Sequence, residues 1–508
     1  MSLRATRPLH RRAFLSVMIA ACVAGAALAN APDTSLRPML KPADAGKRAV
    51  ASALRILDDA GLGGQSSYVV ADAATGEILE SHSALRAHPP ASVSKAVTAL
   101  YALERLGADF RFQTRLLGTG PIEAGVLKGD LILAGGGDPV LDSDDLFDLA
   151  ARLKEAGVIA VSGRFLVYDG ALPWVREIDA KQPVQVGYNP GISGLNLNFN
   201  RVFLEWTPQG SDYLISLQAR SERVRPDVSV TRAEVVEGPG PVFTYQQSAS
   251  HEDWTVNRRA LGRKKGGRWI PVRAPGAYAG DVMQTLARSH GIVLRAPERL
   301  TVLPEDAALL AMHESPALEE IVRGMLKFST NLTAEAIGLR ASEARSLAGS
   351  GDGMSDWARA RFAARRPGFV DHSGLGDQTR LTPFDMTRIL TGAGAQKMLQ
   401  PLLKELKVLD AKGNIDTKSG RRIFAKTGTL NFVSGLAGYV TTPGGRDLAF
   451  AIYSSDLERR DALTRAQRER PRGARGWDSR ARRMQQRLIA RWSTLYGELD
   501  QKAELAEQ

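Results

Sequence analysis

Three short polar motifs, far apart in the chain, place the strongest constraint on how it folds. They are SVSK at Ser92–Lys95, STN at Ser329–Asn331 and KTG at Lys426–Gly428, and the patterns S-x-x-K, S-x-N and K-T-G each occur once in the 508 residues. Positions 92 and 329 are 237 residues apart (329 − 92). If the motifs act together, tertiary structure must gather distant segments into one site.

The first motif has the spacing of an activated serine. The apolar pattern of residues 92–106 predicts a helix, on which residues three apart share a face, so Ser92 can place its hydroxyl beside the Lys95 amine. A serine hydroxyl is a poor nucleophile until a base takes its proton, and a lysine is a base only when neutral. Because burial and a second cation favour the neutral amine, we infer that Lys426 lies near Lys95.

The second motif precedes a stretch with helical character, residues 334–340. On a short turn, Ser329 and Asn331 can both face a cleft, where Ser329 can relay a proton to a leaving amine and Asn331 can hold a substrate amide. The alternative is that these residues only cap the following helix, a position that Ser and Asn also favour.

The third motif is predicted to begin a strand. Lys426 and Thr427 offer a cation and a hydroxyl to a carboxylate, and Gly428 lets a substrate lie against the strand edge. The backbone N–H of Thr429 is expected to form an oxyanion hole with that of Ser92. Taken separately, these residues would be an ordinary solvent-facing strand start.

The N-terminal segment, residues 1–29, is typical of an export signal. Four arginines and no acid stand in residues 4–12, and an apolar run follows at 13–29, which is too short and alanine-rich to favour a permanent membrane span. Arg11-Arg12 is similar to a twin-arginine signal, and Ala27-Leu28-Ala29 is the expected cleavage site. We therefore expect a periplasmic protein; a membrane anchor or lipidation at Cys22 is the alternative.

Composition excludes several classes of site and partner. Cys22 is the single cysteine, so neither a disulfide scaffold nor a multi-thiolate zinc site can form, and no HExxH pattern is present. No metal or cofactor is therefore predicted. The formal charge of +12 becomes 12 − 4 = +8 without the signal, which suits an anionic polymer or peripheral association with a membrane face, whereas export argues against nucleic acid. The arginine-rich stretches 258–273 and 465–483 are interpreted as solvated loops.

The order of predicted elements indicates an α+β domain with an antiparallel sheet sandwiched by helices. The elements on which this rests are a helix at 43–60, strands at 67–71, 78–81, 433–441 and 448–454, and a final helix at 479–496. Residues 115–306 differ, with short strands, Gly/Pro turns and one clear helix at 144–156. We interpret them as two inserted accessory α/β domains that divide the catalytic domain into residues 30–114 and 307–508.

Together the motifs resemble the class C low-molecular-mass penicillin-binding proteins, the D-alanyl-D-alanine carboxypeptidase/endopeptidase family called peptidase S13. The resemblance covers nearly the whole chain after the signal and rests on segments 90–95, 106–112, 129–139, 371–375 and 425–430. It implies a penicillin-recognising transpeptidase/β-lactamase-like fold. The long gap between the first two motifs is what insertion of extra domains after the nucleophile helix would produce.

The resemblance also implies a substrate and roles for residues. The substrates would be peptidoglycan stem peptides ending in D-Ala-D-Ala, or their cross-links, and β-lactams would acylate the enzyme as covalent inhibitors. Ser92 would be the nucleophile, Lys95 the base, and Ser329 with Asn331 would complete the cleft. Lys426 and Thr427 would hold the terminal carboxylate. The preference between trimming and cross-link cleavage stays open, as does the oligomeric state.

One departure from the family pattern concerns the substrate's side chain. The family often has Asp-Gly-Ser-Gly-Leu-Ser-Arg, whose arginine helps to bind that side chain, whereas Asp377 stands at the arginine position here and Arg380 follows three residues later. Either Arg380 substitutes or recognition differs. Two other functions remain as alternatives: a serine β-lactamase, which shares the three motifs, and a non-catalytic wall-binding protein.

Overall fold

The computed structural model of the protein describes residues 50–248, 250–410 and 413–498. The expected signal peptide, its twin-arginine motif, its cleavage site and Cys22 lie outside the described residues. Within the described ranges, no helix combines the length and the apolar composition needed to cross a bilayer.

The α-helices are numbered along the chain. They are α1 Ala53–Ala60, α2 Ser94–Leu106, α3 Ser143–Glu155, α4 Pro275–Ser289, α5 Leu318–Phe328, α6 Asn331–Ser342, α7 Leu347–Phe362, α8 Pro383–Leu390, α9 Ala395–Leu399, α10 Leu457–Asp461 and α11 Ala474–Tyr496. Short 3₁₀ turns lie at Ala91–Val93, Asn198–Asn200, Arg258–Ala260, Gln400–Leu402 and Ala466–Glu469.

The strands are numbered in the same way. They are β1 Gln65–Asp72, β2 Ile78–His82, β3 Gln113–Gly118, β4 Ile122–Glu123, β5 Val126–Leu127, β6 Leu131–Gly135, β7 Ala160–Val161, β8 Phe165–Tyr168, β9 Arg201–Gln209, β10 Asp212–Gln218, β11 Thr231–Val236, β12 Phe243–Gln247, β13 Glu252–Asn257, β14 Gly266–Pro271, β15 Pro297–Leu300, β16 Ala308–Glu314, β17 Glu405–Leu406, β18 Arg422–Leu430, β19 Val433–Thr441 and β20 Asp447–Ser455.

A six-stranded antiparallel sheet carries the site. Its order is β17-β18-β19-β20-β1-β2, so the N-terminal hairpin pairs with strands more than 300 residues later. Side chains alternate between its faces: Ala449 and Ala451 belong to the core that includes α2, whereas Phe450 between them contacts Trp492 of α11. The predicted antiparallel sheet with helices on both sides is confirmed.

The middle of the chain forms its own sheets around a separate apolar cluster. A five-stranded mixed sheet has the order β15-β8-β6-β3-β16, and smaller three-stranded sheets are β10-β9-β14, β11-β13-β12 and β4-β5-β7. This cluster joins apolar residues between 116 and 311, whereas the cluster beneath the six-stranded sheet joins residues of 73–112 with residues of 318–453.

Several local predictions were wrong in detail. The first described helix begins at Ala53, after the N-cap Ser52, whereas the predicted helix began at position 43. Residues 43–49 of that prediction lie outside the described range. The middle of the chain contains a second long helix, α4, which starts at Pro275 and buries much of its length. The two basic stretches are not simply solvated loops, because Arg273 and Arg468 are buried and residues 474–483 belong to α11.

Candidate active site

Ser92 lies in the 3₁₀ turn that leads directly into α2, and Lys95 follows on the first turn of that helix. The Lys95 side chain is completely buried, and its Nζ lies 2.9 Å from Ser92 Oγ. The turn is held against a neighbouring loop so closely that a Cβ added to Gly374 would lie 1.9 Å from the carbonyl oxygen of Ala91. Backbone packing therefore fixes where the Ser92 hydroxyl stands.

Lys95 has three polar neighbours, which together match the hydrogen-bonding capacity of a neutral amine. Besides Ser92 Oγ, its Nζ lies 2.8 Å from Asn331 Oδ1 and 2.8 Å from the carbonyl oxygen of Ser373. A neutral amine can donate its two protons to these two oxygens and accept the Ser92 proton with its lone pair. Burial, assisted by the charge of Lys426, lowers the pKa of Lys95 well below its usual value.

Ser329 and Asn331 both face this lysine pair. Ser329 ends α5 in the left-handed region, with φ +59°, and Asn331 is the first residue of α6. Thr330 occupies the N-cap position and makes no side-chain capping bond, so neither motif residue acts as the cap. Ser329 Oγ accepts a hydrogen bond from Lys426 Nζ at 2.9 Å, and Asn331 Nδ2 donates to the carbonyl oxygen of Tyr188 at 2.8 Å.

The KTG motif lies in the second half of β18, not at its start as predicted. Lys426 is buried and also donates to the carbonyl oxygen of Thr427 at 2.8 Å. Burial, followed by the charge of Lys404, lowers the pKa of Lys426 to about 8. Thr427 and Thr429 are exposed on one side of the strand, and Thr429 lines the cleft.

Gly428 of β18 packs against the 3₁₀ turn that carries Ser92, called here the serine turn. A Cβ at this position would lie 2.4 Å from the carbonyl oxygen of Pro90 and 3.1 Å from the backbone nitrogen of Ser92. Any larger residue would push the strand away from the turn. The expected pairing of the Ser92 and Thr429 N–H groups as an oxyanion hole stays a prediction, and this close approach is the condition it requires.

A buried acid pair, which sequence reasoning missed, supports the loop behind Lys95. The Glu335 carboxyl accepts the backbone N–H groups of His372 at 2.9 Å and Ser373 at 2.8 Å, and Asp371 accepts those of Gly374 and Gly376. Burial raises the pKa of both Glu335 and Asp371, and the charge of Asp371 raises that of Glu335 further. A lone glutamate inside a helix gives no sequence signal of this role.

The motif residues open onto a cleft of about 350 Å³. Ser92, Ser329, Asn331 and Thr429 line it, whereas Lys95 and Lys426 stand behind these residues. The opposite wall comes from segments that carried no motif. These wall residues include Gln182, Tyr188, Arg460, Arg468, Glu469, Arg475 and Asp478.

Asp377 stands where the family has an arginine, and it and Arg380 both contact protein groups around their own loop. Asp377 pairs with Lys181 at 3.0 Å and with Arg468 at 3.4 Å. Arg380 donates to the backbone carbonyl oxygens of Asp377 and Thr379 within its own loop. The Nη1 of Arg380 is therefore held by main-chain acceptors of its own loop.

Comparison with known proteins identifies the family of the chain. The model of the D-Ala-D-Ala carboxypeptidase 3 (S13) family matches residues 49–470. A D-alanyl-D-alanine carboxypeptidase of an Actinomadura species is 29% identical over 472 residues, which are 85% of this chain and 84% of that protein. The D-alanyl-D-alanine carboxypeptidase DacB of Haemophilus influenzae is 24% identical over 402 residues, 74% of this chain and 82% of that protein.

A solved structure gives the same fold. The crystal structure of penicillin-binding protein 4 from Haemophilus influenzae superposes with a TM-score of 0.67 at 21% sequence identity and covers 88% of this chain and all of that one. With its family match spanning most of its length, this chain belongs to the D-Ala-D-Ala carboxypeptidase 3 (S13) family of serine carboxypeptidases.

Proposed function

We propose that this peptidoglycan-acting serine carboxypeptidase works through an acyl-enzyme on Ser92. The observation that carries the proposal is the 2.9 Å separation of Ser92 Oγ from the buried Nζ of Lys95, whose pKa burial holds low. Neutral Lys95 takes the Ser92 proton while Oγ attacks the carbonyl carbon of the penultimate D-alanine of a stem peptide. The N–H groups of Ser92 and Thr429 stabilise the oxyanion.

Collapse of the tetrahedral intermediate breaks the peptide bond and releases the terminal D-alanine. Its amine leaves with a proton passed through Ser329, whose Oγ accepts a hydrogen bond from Lys426. Lys426 and Thr427 hold the terminal carboxylate of the substrate, and Asn331 holds a substrate amide. Water then adds to the acyl carbonyl, and Ser92 recovers its proton as the shortened peptide leaves.

The same attack extends to two other substrates in this proposal. A cross-link also presents a D-amino-acid peptide bond, so its cleavage would be endopeptidase activity. A β-lactam carries a strained amide beside a carboxylate and would acylate Ser92. Such an adduct persists in a penicillin-binding protein and turns over rapidly in a β-lactamase.

The division of the chain is also a proposal. We place the catalytic domain at residues 30–114 and 307–508 and the accessory domains at 115–306, supported by the two separate apolar clusters. Because β16 pairs with β3 in the five-stranded sheet, the boundary fits better near Phe112 and Ser315, whose backbones are hydrogen bonded.

Export to the periplasm is proposed from the signal at residues 1–29 and fits the wall-acting family. Peripheral association with an anionic wall polymer or membrane face is proposed from the positive net charge. Mass spectrometry of the mature N-terminus tests the first point: a chain starting at Asn30 is expected, and a lipid-modified Cys22 would contradict soluble export.

The central test uses purified protein with benzylpenicillin and with a peptide ending in D-Ala-D-Ala. We expect a stable adduct on the tryptic peptide that contains Ser92, and release of one D-alanine per peptide cleaved. Lys95→Met should lose both reactions, whereas the exposed Lys407→Met should keep them. An adduct on another residue would refute the proposed mechanism, and rapid penicillin turnover would indicate a β-lactamase. Digestion of purified sacculi then separates trimming from cross-link cleavage.

A further inference from the structure

A cavity of about 650 Å³ lies in the middle part of the chain, among α4, β15 and the segment that follows β8. The described residues that line it are all different from those that line the catalytic cleft. Its volume falls within the range of about 300–1,000 Å³ that is usual for small-molecule sites. The lining includes Val167, Asp169, Trp174, Ala277, Gln284 and Arg299.

One side of this cavity is the indole ring of Trp174. The residue is 49% exposed, which is unusual for a tryptophan, and its Nε1 donates to the carbonyl oxygen of Arg273 at 3.1 Å. This hydrogen bond fixes the ring and uses its polar edge, so that carbon surface is left for the cavity. The face of an aromatic ring carries negative potential and attracts weakly positive C–H groups, such as those of a sugar ring. Trp174 is therefore a preformed platform for a saccharide.

Hydrogen-bonding groups surround the same cavity. The buried Asp169 accepts a hydrogen bond from Arg299 Nε at 3.3 Å, while most of the Arg299 side chain is exposed. Gln284 Nε2 donates to the carbonyl oxygen of Leu294 at 2.9 Å, and no described residue donates to the amide oxygen of Gln284. The lining thus offers both donors and acceptors beside apolar surface, which suits a ligand rich in hydroxyl and amide groups.

The charges around the cavity argue against an anionic ligand. Its lining contains three acids, Asp169, Asp281 and Glu298, but one base, Arg299. Asp281 is also occupied, because it accepts the backbone N–H of Ser229 at 2.7 Å and the hydroxyl of the same residue. The sign of the lining is thus opposite to the net charge of +12 of the chain. Because like charges repel, a neutral polar ligand fits this cavity better than a phosphate or a carboxylate.

One segment joins the cavity to the wall of the catalytic cleft. The backbones of Val175 and Ile192 exchange two hydrogen bonds, at 2.9 and 2.8 Å, and so close a loop between them. Trp174 stands directly before this loop and lines the cavity, whereas Tyr188 within the loop lines the cleft. The carbonyl oxygen of Tyr188 accepts a hydrogen bond from Asn331. A ligand in the cavity therefore contacts the base of the loop that forms part of the cleft.

We propose that this cavity binds an N-acetylated saccharide unit of the glycan strands that carry the stem peptides. The sugar ring packs on Trp174, and its hydroxyl and acetamido groups hydrogen bond to Arg299 and Gln284. Such a unit is neutral, because the carboxyl group of a sugar that carries a stem peptide is already part of an amide bond. The inference takes the polymer from the proposed function and assigns a second site to it, one that does not contain Ser92.

The test measures binding of tri-N-acetylchitotriose to the full chain by isothermal titration calorimetry, with maltotriose, which lacks acetamido groups, and inorganic phosphate as comparison ligands. We expect saturable binding of the chitotriose, at least about tenfold tighter than that of either comparison ligand. Trp174→Ala should weaken it at least about tenfold, because the platform is lost. Ala277→Leu should do the same, because a larger side chain on the exposed face of α4 fills the cavity. Leu214→Ala, which removes an exposed apolar side chain of β10, is the control.

The possible failures can be told apart. No saturable binding of the chitotriose by wild-type protein, or an unchanged affinity in Trp174→Ala, would overturn the site. Equal affinity for maltotriose, or tighter binding of phosphate, would overturn its assignment to N-acetylated saccharides. Circular dichroism checks the folding of Trp174→Ala, and Ala277→Leu tests the site even if that variant unfolds. Saccharide binding without D-alanine release would support this site and refute the proposed function, whereas release without saccharide binding would refute the site alone.

Discussion

The buried cations at the two ends of the cleft differ in how completely they are hydrogen bonded. At the reaction end, Lys95 has three polar neighbours and Lys426 has two, so each amine has a defined set of partners. At the arginine end, Arg460 uses one nitrogen on a backbone carbonyl and leaves two unpaired. The amines are held by their partners, whereas the Nε and Nη2 of Arg460 are buried with no partner among the described residues.

The comparison also predicts the kinetic effects of variants. In the proposed mechanism all substrates use the same serine and lysines, so variants at the reaction end should slow every substrate alike.

The largest effect is expected for Ser92→Ala, which removes the proposed nucleophile. D-alanine release from a peptide ending in D-Ala-D-Ala should fall by at least about 10³-fold, and the benzylpenicillin adduct should disappear. Ser81→Ala, an exposed serine of β2, is the control and should behave as wild type. Residual activity near the wild-type level would show that Ser92 is not the nucleophile, and the proposed role of the reaction end would be wrong.

Gly428→Ala is expected to have the next largest effect. The new Cβ would meet the carbonyl oxygen of Pro90 at 2.4 Å, so β18 must move away from the serine turn. A displacement of about 1 Å at a reacting centre can cost on the order of 10²-fold, which we expect in kcat for D-alanine release. Gly240→Ala is the control, since a Cβ there meets no atom within 4 Å. An unchanged kcat in Gly428→Ala would contradict this assignment.

Glu335→Ala tests whether the buried acid positions Lys95. The change leaves the backbone N–H groups of His372 and Ser373 without their acceptor, and each such buried group costs about 1–3 kcal/mol. We expect kcat to fall about tenfold with a smaller change in KM, together with a lower melting temperature. The exposed Glu320→Ala should change neither quantity. A lower melting temperature with unchanged kcat would make Glu335 purely structural.

The smallest effect concerns pH. The proposed mechanism requires neutral Lys95 and protonated Lys426, so kcat/KM should rise as Lys95 loses its proton and fall as pH passes about 8, where Lys426 loses its own. The positive charge of Lys404 lowers the pKa of Lys426, so Lys404→Gln should move the alkaline limb to higher pH by a few tenths of a unit.

That pH shift should be larger at low ionic strength, because salt screens an exposed charge. Lys407→Gln removes a nearby exposed lysine and serves as the control. A shift of the limb to lower pH in Lys404→Gln would mean that Lys426 is not the group that titrates there.

The reaction end could be largely predicted from the sequence because its motif residues lie close together in the chain. Ser92 and Lys95 are three residues apart, a distance that a helical turn closes, and K-T-G is short enough to recognise. The expected proximity of the two lysines agrees with the lowered pKa of Lys95, to which Lys426 contributes. Local pattern did not reveal that β18 begins four residues before Lys426, because its first residues are held by pairing with β19.

The arginine end could not be predicted in this way. Arg460 and Arg475 stand in a basic segment whose composition favours a solvated surface, and nothing local distinguishes the buried residue from the exposed one. The same holds for Glu335, which is one glutamate in a helix until the loop at 371–376 folds against it. These roles arise from contacts between segments that are far apart in the chain.

By itself, the amino-acid sequence identified the family of the chain and predicted its nucleophile and base, because those depend on residue types at fixed short spacings. Only the tertiary structure decided which polar groups are buried, which have partners and which arginine faces the cleft. Burial and pairing depend on long-range packing, and the free energy of a charge is set by the groups that surround it rather than by its neighbours in sequence.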